Sequence, residues 1–167
     1  PVKQSDLLDV ITAALGEPAA RPRRSVGAAA DVSSASSRPR RILLAEDNEV
    51  NQMVFTQILG ETGYGFEIVG NGRRALDAYG RLNPRMILMD VSMPEMNGLE
   101  ATAAIRRLEE ESGTHVPIVG VTAHALKGDR ERCLETGMDD YLPKPISPRA
   151  LLEKLETFFQ RQIAALQ

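Results

Sequence analysis

A doubly wound α/β fold, five parallel strands alternating with five helices, is what this sequence predicts from residue 41 onward. Three observations predict it. Short apolar runs alternate with stretches whose apolar residues recur at helical spacing. One run, Met86-Ile87-Leu88-Met89, is unbroken, the pattern of a strand buried on both faces of a parallel sheet. Residues able to do chemistry follow the runs: Glu46 and Asp47, Asp90, Thr122 and Lys144.

The elements follow in order. Ile42-Leu43-Leu44-Ala45 is the first strand, and Val50, Met53, Val54, Ile58 and Leu59 mark the helix after it. Phe66-Glu67-Ile68-Val69 is the second strand; Asn71-Gly72 leads into a helix carrying Ala75, Leu76 and Tyr79. Met86 to Met89 is the third, followed by a helix with Leu99, Ala103, Ile105 and Leu108. Pro117 to Val121 is the fourth strand, residues 127–136 the fourth helix and Asp140-Tyr141-Leu142 a short fifth strand. The last helix carries Leu151, Leu152, Leu155, Phe158, Phe159 and Ile163 on one side. Right-handed βαβ units then imply a parallel sheet covered on both faces, of flavodoxin-like strand order 2-1-3-4-5.

The first 40 residues read differently. Leu7, Leu8, Ile11 and Leu15 share one face of a helix that Ser5-Asp6 can start. Residues 17–40 are rich in Pro, Arg, Ala and Ser, with too few large apolar groups to offset the entropy of ordering, so they read as linker. Pro1-Val2-Lys3-Gln4-Ser5-Asp6-Leu7-Leu8-Asp9 echoes Pro145-Ile146-Ser147-Pro148-Arg149-Ala150-Leu151-Leu152-Glu153 in its prolines, leucine pairs and following acid. An internal echo of this kind signals a repeated unit. Residues 1–16 are therefore expected to be the terminal helix of a second, upstream domain, and residues 41–165 the complete one. Such a helix exposes its leucines unless it docks on a neighbouring surface.

Composition bounds the class. No run of about 18 apolar residues exists, so no membrane-spanning helix is expected in this stretch. No signal-peptide pattern is seen, although Pro1 is not a natural start and leaves room for a targeting or membrane segment upstream. A single cysteine, Cys133, excludes an internal disulfide, fits a reducing cytoplasm and reads as a packing residue. Residues 1–41 hold seven Lys/Arg against four Asp/Glu, whereas residues 42–167 hold thirteen against nineteen. The main domain is acidic and poorly suited to nucleic acid.

In a doubly wound sheet ligands bind beyond the carboxyl ends of the strands. There the topology brings together Glu46, Asp47 and Asp90, whose mutual repulsion calls for a cation. All-oxygen ligands suit Mg2+, which takes one or two protein carboxylates and keeps waters. A carboxylate can accept a phosphoryl group covalently, with the metal neutralising charge. Lys144 offers a compact positive charge to phosphoryl oxygens and Thr122 a hydroxyl. Taken singly each residue has a plainer reading. An Asp at a strand end is commonly a cap or turn residue, Thr122 caps a helix equally well, and Lys144 is also an ordinary surface lysine. Their joint placement at one sheet edge carries the inference.

From about residue 41 the chain resembles a response-regulator receiver domain. The stretches that carry the resemblance are Ile42 to Asn48, Met89-Asp90-Val91-Ser92-Met93-Pro94-Glu95-Met96-Asn97-Gly98, Val121-Thr122-Ala123-His124-Ala125 and Tyr141-Leu142-Pro143-Lys144-Pro145. Asp47-Asn48-Glu49-Val50-Asn51-Gln52 and Gly137-Met138-Asp139-Asp140-Tyr141 resemble receivers attached to hybrid sensor histidine kinases. The resemblance implies that Asp90 is the phosphoacceptor. It implies direct Mg2+ ligation by Asp47, Asp90 and the Ser92 main-chain carbonyl, with Glu46 helping through water. Thr122 and Lys144 would contact the phosphoryl group, and Tyr141 would move inward with Thr122 on activation. It further implies a cis Lys144-Pro145 bond, and a histidine kinase or histidine phosphotransfer domain as donor. The parent would be a hybrid kinase with tandem receivers, and the switched surface would run from the fourth helix to the fifth. His124 is not read as a kinase phosphodonor and His115 reads as a surface residue. A receiver acting as a docking scaffold without phosphorylation is the alternative. A Mg2+-dependent phosphatase of similar layout needs a second acid two residues beyond the nucleophile, where Ser92 stands.

Overall fold

The structure is a computed structural model, and it describes residues 41–123 and 127–165. The expected helix of residues 1–16, the linker of 17–40 and His124 lie outside the described residues.

Five strands form one parallel sheet in the order β2-β1-β3-β4-β5. They are β1 (Arg41–Ala45), β2 (Gly65–Val69), β3 (Met86–Asp90), β4 (Ile118–Thr122) and β5 (Asp140–Pro143). The helices are α1 (Glu49–Gly60), α2 (Gly72–Leu82), α3 (Gly98–Ser112), α4 (Lys127–Glu135) and α5 (Pro148–Ala164). All five residues of β3 are buried, as the unbroken apolar run predicts, because it lies between β1 and β4 with helices on both faces.

Period-two alternation splits the core in two. Ile42, Leu44, Met86, Leu88, Val119 and Val121 face one way and meet Phe55, Ile58 and Leu59 of α1 and Leu151, Leu155 and Phe159 of α5. Leu43, Ala45, Ile87, Met89 and Ile118 face the other way. They meet Ala75 and Ala78 of α2, Ala101 and Ile105 of α3 and Cys133 of α4. Each fully buried Leu or Ile contributes roughly 1.5–3 kcal/mol of transfer free energy.

Helix starts obey local chemistry. Asn48 caps α1 by accepting from the Val50 and Asn51 N–H groups. Asn71 caps α2, Asn97 with Glu100 forms a capping box on α3, and Ser147 caps α5 just before Pro148. Each cap stabilises its helix by ~1 kcal/mol. Gly113 ends α3 in the left-handed region at φ 66°, where glycine carries no steric penalty.

Three helix faces differ from the sequence expectation; on α5 the apolar side stops short of Ile163, which lies exposed near the end of the helix. On α1, Val50 and Met53 are 68% and 72% exposed and Val54 is exposed, while Phe55 is in the core. The helix carries two overlapping apolar stripes, and only the one through Phe55, Ile58 and Leu59 reaches the sheet. On α3, Leu108 is exposed and Glu109 is buried. Glu109 is compensated there: Oε1 accepts from the Val116 N–H at 2.6 Å, and Oε2 pairs with Arg106. Arg106 also donates to Asp139 Oδ2 at 2.8 Å, and His115 Nε2 lies 2.7 Å from Asp139 Oδ1. His115 is a surface residue, as expected, but one tied into this network.

Cys133 is buried against Gly120 and Met138. Burial, reinforced by Asp129 and opposed by Arg132, raises its thiol above the ordinary range. A disulfide reagent at neutral pH is expected to titrate no thiol in the native protein and one in denaturant. Rapid native labelling would contradict this packing role.

Candidate functional site

Register aligns the strand ends. Ala45 stands opposite Met89, Asp90 opposite Val121, and Thr122 opposite Pro143. Residues just beyond these pairs therefore emerge along one edge. Main-chain bonds extend the ladder there: Glu46 N–H to Val69 O at 3.0 Å, Val91 N–H to Val121 O at 2.9 Å, and Lys144 N–H to Thr122 O at 2.7 Å.

The edge brings together Glu46, Asp47, Asp90 and Lys144. One carboxylate oxygen from each acid lies within 4.8 Å of the others. Glu46 and Asp90 are buried and Asp47 is exposed, which leaves the cluster open to solvent from one side. Lys144 Nζ sits 2.8 Å from Asp90 Oδ2 and 2.9 Å from Glu46 Oε2. The Ser92 N–H donates to Asp90 Oδ1 at 3.1 Å. Thr122 is buried at the end of β4. Tyr141 is half-buried on β5, with the Arg130 guanidinium 5.9 Å from its ring centroid, and is not part of the acid cluster. The Lys144–Pro145 bond is cis.

Electrostatics follow from burial. Burial pushes the Asp90 carboxyl up; hydrogen bonds from Lys144 and Ser92 pull it back, and the Glu46 charge adds to the rise. Burial lowers the Lys144 ammonium, but hydrogen bonds to Asp90 and Glu46 outweigh it and leave the group above its usual value. One lysine faces three carboxylates, so negative charge is in excess. The buried Glu46 Oε2 is ion-paired to Lys144 Nζ at 2.9 Å. An oxygen-only donor set whose three carboxylates face a single lysine fits a hard divalent cation such as Mg2+.

Sequence reasoning passed over three residues of this site. Asn51 Nδ2 donates to Glu46 Oε1 at 3.0 Å, Asn48 N–H donates to the same oxygen at 3.2 Å, and Gln52 Nε2 donates to the Glu46 main-chain carbonyl at 2.6 Å. The only sequence signal was the run from Asp47 to Gln52, which carried resemblance without roles. A cavity of about 610 Å3 lined by Arg41, Tyr79, Arg85 and His115 lies at the opposite ends of the strands and contains none of these groups.

Comparison with known proteins agrees with this geometry. Residues 42–156 match the response regulator receiver domain. Hybrid signal transduction histidine kinase I of Dictyostelium discoideum is 44% identical over 132 residues, covering 76% of this chain and 8% of that protein. The chain spans 6% of a second kinase from that organism, hybrid signal transduction histidine kinase B. The polar-differentiation response regulator DivK of Brucella anthropi is 36% identical over 120 residues, covering 72% of this chain and 96% of that protein. Among solved structures, the receiver domain of a Pseudomonas aeruginosa sensor histidine kinase has a magnesium ion in its active-site cleft. It is 42% identical with TM-score 0.66, covering 72% of this chain and 98% of that one. A Saccharomyces cerevisiae co-crystal of a histidine phosphotransfer protein with the receiver domain of its downstream response regulator matches at 30% identity and TM-score 0.66. That match covers 68% of this chain and 84% of the other. On the family match across most of its length, supported by sheet order and acid cluster, this chain belongs to the response regulator receiver domains of two-component systems.

Proposed function

We propose that this domain accepts a phosphoryl group from a phosphohistidine onto Asp90. The observation that carries the reading is the buried Asp90 carboxylate held by Lys144 and the Ser92 N–H beside two further acids. An Asp90 oxygen attacks phosphorus, the P–N bond to the donor imidazole breaks, and that nitrogen takes up a proton. Mg2+ would be held by Asp47, Asp90 and the Ser92 main-chain carbonyl, with Glu46 through water, and would neutralise phosphoryl charge. Lys144 is already at the acceptor and needs only to follow the new oxygens. Thr122 would supply its hydroxyl.

The added group carries about −1.5 to −2 charges, enough to draw Thr122 and Lys144 inward and bias an existing equilibrium of the α4-β5-α5 surface. Tyr141 would then fill the space that Thr122 leaves. The partner is a histidine kinase or histidine phosphotransfer domain. Exposed Val50, Met53 and Val54, on the helix that begins at the acid cluster, offer it an apolar contact beside the acceptor. A cytoplasmic location follows from such a partner; among the described residues no helix is long and apolar enough to cross a membrane. Residues 41–165 are read as the domain of a longer hybrid kinase, with residues 1–16 from an upstream receiver-like unit.

Incubation with phosphoramidate and Mg2+ tests the reading. One phosphoryl group, labile to hydroxylamine, is expected by intact mass, and removing Mg2+ with EDTA is expected to abolish uptake. No mass gain with donor and metal both present would favour a docking scaffold.

A further inference from the structure

We propose that Asn51 is a positioning residue that aims Glu46 at the cation. The inference rests on the reading of Glu46, Asp47 and Asp90 as the Mg2+ site. Glu46 has no solvent exposure, so its two oxygens must be satisfied inside the protein. They are treated unequally. Oε1 receives Asn51 Nδ2 at 3.0 Å, the Asn48 N–H at 3.2 Å and Lys144 Nζ at 3.3 Å. Oε2 is met by Lys144 Nζ, at 2.9 Å, and by none of the α1 donors. With Oε1 saturated, the carboxylate cannot rotate without giving up its donors, and Oε2 stays available as an acceptor in the cluster.

Asn51 is the side chain that sets this asymmetry. The Asn48 N–H is main chain, and Lys144 lies closer to Oε2 than to Oε1. Helical geometry explains how Asn51 reaches its target. The Asn48 cap fixes the first turn of α1 and accepts from the Asn51 N–H itself at 3.2 Å, so the cap orients the residue that orients the acid. Gln52 adds a second hold, donating to the Glu46 main-chain carbonyl at 2.6 Å. Adjacent residues of one turn thus grip the side chain and the main chain of a single acid. The donor is also of the right type. A lysine here would satisfy Oε1 but bring a second cation against the metal, whereas an amide supplies the proton without the charge. Residues behind metal-binding carboxylates commonly control affinity in this manner.

The full 167-residue chain and three variants, Asn51→Ala, Asn51→Leu and Asn51→Gln, are titrated with Mg2+ and followed by amide NMR shifts, with melting midpoints in EDTA as a check on folding. Ala and Leu lack the donor and are expected to weaken Mg2+ binding by about tenfold or more. Gln keeps a neutral amide and is expected to recover part of that loss. Equal Mg2+ affinity in wild type, Ala and Leu would overturn the positioning role. So would collapse of the dispersed spectrum in both variants, which would make Asn51 a folding residue. A wild-type chain that gives no Mg2+ response would instead overturn the metal-site reading on which the inference rests.

Discussion

Asp90→Asn is expected to take up no phosphoryl group from phosphoramidate and Mg2+ under conditions that label the wild type to completion. The substitution preserves size, and its single amide oxygen can keep one of the two native bonds, from Lys144 Nζ to Oδ2 at 2.8 Å or from the Ser92 N–H to Oδ1 at 3.1 Å, while its NH2 meets the other donor. What it removes is the anionic nucleophile, since a carboxamide cannot form an acyl phosphate. Intact mass with hydroxylamine release reads the outcome. Hydroxylamine-labile label surviving in the variant would move the acceptor elsewhere, with Asp47 the nearest candidate in the cluster.

The same variant has a stability signature that follows from the burial of Asp90. Burial, the largest influence, raises the Asp90 carboxyl above its unfolded value. A group that binds its proton more tightly when folded favours folding at low pH. That advantage is lost as pH rises through the folded value, so at neutral pH the ionised Asp90 works against the fold. Asp90→Asn is therefore expected to melt no lower than wild type in Mg2+-free buffer at pH 7, by calorimetry, and to show less of any stabilisation that added Mg2+ confers on the wild type. A lower midpoint would mean that the Lys144 pair outweighs the cost of burial.

Gly98→Ala is the second large effect. Gly98 opens α3, and its N–H donates to Val91 O at 3.1 Å. A Cβ there would stand 2.1 Å from the Asp90 carbonyl oxygen, 2.9 Å from the Asp90 carbonyl carbon and 2.9 Å from Met89 Cγ. Overpacking typically costs about 1–3 kcal/mol, and here the nearest obstacle is main chain that cannot rotate away, so the upper end applies. For a domain of this size that corresponds to a fall in Tm of about 10 °C. The displaced atoms belong to Asp90, so phosphoryl uptake is expected to fall as well. Gly80→Ala is the control. Beyond the local backbone of α2 itself, no atom lies within 4 Å of its added Cβ, and a gain of about 0.4–1 kcal/mol is expected from a stiffer unfolded chain. Equal midpoints for the two variants would show that the α3 entry has slack.

Most of the architecture was legible because its signals are local. The Met86 to Met89 run declares a doubly covered strand, and acids, threonine and lysine placed after successive strands declare an edge where they meet. Which stripe of α1 is buried was not legible. Val50-Met53-Val54 and Phe55-Ile58-Leu59 both satisfy helical spacing, and the choice depends on how the helix lies on the sheet. The burial of Glu109 was not legible either, because its compensation comes from Arg106 and from the main chain of Val116, beyond the end of its own helix. Asn51 escaped for a related reason. An amide inside a helix looks like surface until the buried acid five residues earlier is seen to need a donor.

Arg41, at the start of β1, and Ala165, just past α5, line the same cavity at the end of the sheet remote from the acid cluster. Entry and exit of the described domain thus share one face, and its chemistry occupies the other. A unit wired in this way behaves as a bead that can be threaded into chains of very different length without obstructing its own reactive pole. The stretch that matches this chain makes up 8% of one relative and 96% of another.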